Sequence, residues 1–108
     1  MEFDSYVIVF LNRGPRADEY SGEALAELQE QHLAYLAALR DSDYILAAGP
    51  FDVAPDYPKR GIAIFSDHLH EDEVKALATA DPSVQAGRLS VEVLKWYTTK
   101  GSILWPQR

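Results

Sequence analysis

The run Tyr6-Val7-Ile8-Val9-Phe10-Leu11 is apolar at every position. Successive residues of a strand point to opposite faces, so a strand of this sequence is buried on both. Asn12-Arg13-Gly14-Pro15 ends it with turn chemistry. The spacing of Leu25, Leu28, His32, Tyr35 and Leu39 then predicts a helix from about Ser21 to Asp41, with Ser21 as N-cap and Glu23 in the first turn. A second strand is expected at Tyr44–Ala48, stopping at Gly49-Pro50. Residues 51–59 carry two prolines and two aspartates and read as a loop. A third strand is expected at Gly61–Phe65, again apolar throughout.

Glu71, Asp72 and Glu73 open a second helix, where carboxylates complement the N-terminal dipole. Asp81-Pro82 closes it and caps one further turn that ends near Gly87. The last strand is expected at Leu89–Tyr97. The order βαββαβ is the split unit of ferredoxin-like α+β folds: a four-stranded antiparallel sheet with two helices on one face. Two helices leave the other face bare. With strands one and three apolar on both sides, that face is a larger apolar patch than a monomer carries, so a homodimer packed sheet to sheet is expected. The 108 residues fit one domain, with a core at about 3–97 and an extension at 98–108.

Composition narrows the function. The formal net charge of -7 disfavours nucleic acid and anionic membranes, which require a positive footprint. No apolar run approaches the ~18 residues of a membrane span. Cysteine is absent, which excludes disulfides and thiolate metal sites. Met1-Glu2-Phe3-Asp4 lacks the layout of a signal peptide, so the expectation is a cytoplasmic protein.

His32 is the first residue of chemical interest, because a titratable ring in an apolar stripe is costly without a partner. A core histidine satisfied by a carbonyl or by water explains it structurally. Capping explains Asp81 equally well. Together the two would form a general acid/base unit, but their spacing alone brings no contact. His68 and His70, beside Asp67, Glu71 and Asp72, hint at metal, but no third ligand stands at a suitable spacing. Neither a metal nor a cofactor is therefore expected. Arg13, Arg16, Lys59 and Arg60 are loop cations able to meet an anionic ligand, although ordinary solvation accounts for them as well.

The segments Arg13-Gly14-Pro15, His32–Leu36, Ala48-Gly49-Pro50-Phe51, Arg60-Gly61-Ile62, Ala80–Gly87 and Trp96 together resemble the YCII-related (YciI-like) domain family over nearly the whole chain. The resemblance implies a dimeric ferredoxin-like α+β barrel, akin to muconolactone isomerase-like proteins and including some dehydrochlorinases. It implies His32 and Asp81 as the catalytic pair. Arg13, Gly49, Pro50, Arg60 and Ser83 are the expected substrate contacts beside that pair. Lys95 stands where relatives of this subgroup often carry proline, and the tail from Thr98 to Arg108 lies outside the family pattern. Three functions follow. The first is an enzyme of isomerase, lyase or dehydrochlorinase type acting on a small cyclic or carbonyl compound. The second is a dimer that binds a small ligand without turnover. The third is a structural dimer whose His–Asp pair ties two elements together.

Overall fold

A computed structural model describes residues 1–105; Pro106, Gln107 and Arg108 of the expected extension lie outside the described residues. Strand β1 (Phe3–Arg13) leads through a short 3-10 turn at Ala17–Glu19 into helix α1 (Gly22–Asp41). The antiparallel pair β2 (Ile45–Pro50) and β3 (Lys59–Phe65) follows, then α2 (Glu71–Thr79), the single turn α3 (Pro82–Gln85) and β4 (Leu89–Thr99). The strands form one antiparallel sheet in the order β2-β3-β1-β4. This is the expected ferredoxin-like α+β fold.

The sheet's inner face holds Val7, Val9 and Leu11 of β1 with Ala63 and Phe65 of β3. These pack against Leu39 of α1 and against Val74 and Ala78 of α2. Val9 and Val74 are almost wholly buried, each contributing about 1.5–3 kcal/mol of apolar transfer. By alternation, Tyr6, Ile8 and Phe10 lie on the outer face. Across the strands they meet Trp96, Leu94 and Ile64, and Ile62.

Strand ends differ from the sequence expectation. β1 and β4 begin and end further out, because Phe3 pairs with Thr99 and the ladder runs unbroken inward from there. β2 continues through Gly49 and Pro50 instead of stopping before them. It is an edge strand, where a residue without an N–H costs no ladder bond. Ser21 holds the N-cap position of α1 but makes no side-chain cap bond. At the start of α2, the Glu73 carboxylate accepts from the His70 N–H at 3.0 Å. The tail turns back at Gly101, and the Trp105 ring meets Tyr6 edge to face at 5.7 Å, covering one end of the outer face. Among the described residues, no helix is long and apolar enough to cross a membrane.

Candidate active site

The Asp81-Pro82 segment builds its own geometry. Asp81 has extended backbone and stands at the N-cap of α3, with Pro82 at the first helical position, where a missing N–H is harmless. The Asp81 carboxylate is 2% exposed. Its Oδ1 accepts from the Ser83 N–H at 2.8 Å. The Ser83 hydroxyl donates to the Leu28 carbonyl at 3.4 Å, so α3 is tied to α1 one turn before His32.

His32, itself buried, presents Nδ1 to Asp81 Oδ2 at 2.5 Å. A carboxylate only accepts hydrogen bonds, so Nδ1 carries the hydrogen and the neutral ring keeps its lone pair on Nε2. No described residue hydrogen-bonds Nε2. The ring lines a cavity of about 310 Å³ between α1 and β2, walled also by Gln29, Leu33, Leu36, Gly49 and Pro50. Tyr35, one turn on from His32, donates from its phenol to the Leu77 carbonyl at 2.7 Å. Burial, and then the charge of Asp81, push this phenol above the ordinary tyrosine range. The arrangement is an imidazole oriented by a buried carboxylate beside a hollow that Arg40 and Asp41 also line, which can take or return a proton.

Of the residues singled out in the sequence, the structure brings together His32, Asp81, Gly49 and Pro50. Ser83 is fully buried behind Asp81, away from the cavity wall. Arg13 and Arg60 line a different cavity of about 400 Å³, together with Arg88. Gly14, next to Arg13, is required there: a Cβ would stand 2.2 Å from the Gly87 carbonyl oxygen, where the chain after β1 runs against the start of β4. Gly87 completes that contact with φ +78, a conformation glycine takes without strain. His68 Nδ1 meets the Ser66 hydroxyl. Among the described residues, no group of three or more His, Asp or Glu could hold a metal ion. Sequence reasoning missed Gln29, Leu33 and Leu36. For Gln29 and Leu36 the signal is a helical offset of three and four residues from His32; Leu33, the next residue after it, has no such signal. It also missed Arg88, for which no local signal exists.

No curated protein matches the sequence. Among solved structures, the chain is similar to the 5-chloro-2-hydroxyhydroquinone dehydrochlorinase TftG from Burkholderia phenoliruptrix AC1100, solved in complex with 2,5-dihydroxybenzoquinone. The TM-score is 0.60 at 21% identity, over 84% of this chain and 92% of that one, a likeness of fold. The YCII-related domain pattern matches residues 7–97, which take in β2, β3, most of β1 and β4, His32 and the Asp81-Pro82 turn, so the chain belongs to the YCII-related domain family.

Proposed function

We propose that this protein is a small-molecule enzyme that moves a proton with His32 as general base and acid and Asp81 as its orienting partner. The observation that carries this reading is the 2.5 Å contact at Nδ1 of a histidine that also lines a cavity. The substrate class is a small cyclic or carbonyl-bearing compound. In an elimination, Nε2 takes the proton while a leaving anion such as chloride departs with the bonding pair. In an isomerisation, the same nitrogen returns the proton to a second atom. Leu33, Leu36 and Pro50 give the substrate body an apolar wall, and Arg40 and Asp41 line the same cavity. Gly49 and Pro50 contact the substrate body, and Ser83 serves by fixing Asp81. The fold similarity to a dehydrochlorinase makes halogenated hydroxyquinols the first compounds to try.

The same reading includes a homodimer through the outer sheet face. It is supported by the row Ile8, Phe10, Ile62, Ile64 and Leu94, of which Leu94 is 47% exposed in the single chain. Purified protein is to be incubated with chlorinated and unchlorinated hydroxyquinols and with small lactones, following ultraviolet absorbance and chloride release. Turnover by the wild type that disappears in a folded His32→Ala variant is expected. Equal rates in the two proteins would refute the assignment. Saturable binding without turnover would reduce the protein to a ligand-binding dimer.

A further inference from the structure

The second cavity differs in chemistry from the one at His32. It lies where the end of β1, the 3-10 turn, β3 and the start of β4 meet, and Arg13, Arg60 and Arg88 line it. The chain has 17 acidic residues against 10 basic ones, yet Asp18 is the sole acid on this wall. Asp18 pairs with Arg13 through a carboxylate that is 96% exposed, and such a pair is weak and readily exchanged. Arg60 donates through Nη1 to the carbonyls of Ala54 and Tyr57, at 2.9 and 3.2 Å, which fixes its head and leaves its other donors unused.

Arg88 is the unusual member. It is partly buried, and its side chain has no hydrogen bond or ion pair among the described residues. Burial, and then the like charge of Arg60, hold its guanidinium below the ordinary arginine value, while Asp81 acts the other way. Arg88 makes no hydrogen bond to Asp81, whose two carboxylate oxygens are engaged by His32 and Ser83. By contrast, Arg16, on the open surface, pairs with Glu19 through two bonds of 2.9 and 3.0 Å. Three cations lining one cavity, one of them without a partner among the described residues, suit planar or tetrahedral oxygen anions.

We propose that this cavity binds the oxyanion of a small molecule, a carboxylate or a phosphate group, with Arg88 as its central donor and Arg13 and Arg60 at its flanks. Leu25, Pro55 and Leu89 give an apolar wall for the body of the molecule. Leu25 precedes His32 by seven residues on one helix stripe, which places the two sites about 10 Å apart along α1. The anion site therefore stands independently of the acid/base assignment at His32.

The test is titration of the isotopically labelled full chain at low ionic strength with inorganic phosphate and, separately, with benzoate, using chloride at matched ionic strength as control. Saturable amide shifts at Leu25, Arg88 and Leu89 are expected. A response to phosphate alone assigns a phosphate ligand, and a response to benzoate alone assigns a carboxylate. Arg88→Gln should weaken binding by about tenfold or more, as loss of a charge-assisted donor pair does. Arg88→Lys, which keeps the charge without the fork, should fall between. In phosphate-free buffer Arg88→Gln should melt no lower than the wild type, because it relieves repulsion with Arg60, and this separates lost binding from lost folding. His32→Ala should bind the probes unchanged. Absence of saturable binding by either probe, or wild-type affinity in both Arg88 variants, would overturn the proposal.

Discussion

Replacing Asp81 by asparagine separates what this carboxylate does for the fold from what it does for His32. Asp81→Ala removes the cap on Ser83 and leaves the His32 Nδ1–H buried without an acceptor. The first loss costs about 1 kcal/mol and the second about 1–3 kcal/mol. At about 4 °C per kcal/mol for a chain of this length, Tm should fall by about 8–16 °C. Asparagine caps as well as aspartate, so Asp81→Asn keeps the Ser83 bond. Its amide then faces Nδ1 as a donor, and the ring can satisfy it only by moving its hydrogen to Nε2. The stability loss should be about 1 kcal/mol, or about 4 °C, the difference between a charge-assisted and a neutral hydrogen bond. Turnover should nevertheless fall by about 10²–10⁴-fold, because the cavity nitrogen no longer has a free lone pair. Nitrogen-15 spectra of the imidazole read the tautomer directly, without a known substrate. An Asn variant that keeps the hydrogen on Nδ1, or that melts as low as the Ala variant, would show this account of Asp81 to be wrong.

Other outcomes follow from single contacts. The raised phenol of Tyr35 contributes stability that is fully present below the ordinary tyrosine pKa of about 10 and is lost as pH rises through the higher folded value. Tyr35→Phe should therefore flatten the alkaline limb of a Tm-against-pH curve, and an unchanged limb would exclude Tyr35 as its origin. Leu94→Asp places a charge at a half-exposed position that a monomer tolerates within about 0.5 kcal/mol. If the outer faces pair, light scattering should show this variant as a monomer where the wild type is a dimer, whereas equal masses would remove this face from the interface. Gly14→Ala drives a methyl into the Gly87 carbonyl oxygen and should cost about 3 kcal/mol or more, read by chemical denaturation. A near-neutral effect would mean that the two segments can separate freely.

Short-range chemistry made much of this protein readable in its sequence. Asp81, Pro82 and Gly87 specify a capped turn among themselves, and the heptad from Leu25 through His32 to Leu39 fixes which side of α1 carries the imidazole. The apolar run in β1 fixes a strand buried on both faces, since alternation needs no knowledge of the neighbours. What lies beyond the reach of local patterns was decided by strand order and register. Pro50 stays within β2 only because that strand is at the edge. β1 and β4 extend to Phe3 and Thr99 because each supplies the other's ladder. Trp105 gains a place only by folding back onto Tyr6. His32 and Asp81, 49 positions apart, meet because α3 docks on α1 through the Ser83–Leu28 bond. Arg13, Arg60 and Arg88 converge because the antiparallel ladder brings the end of β1, the start of β3 and the start of β4 to one end of the sheet. Each arginine alone has the sequence context of a solvated loop cation, and a charge cluster of this kind comes into being only when distant backbone segments are paired in register.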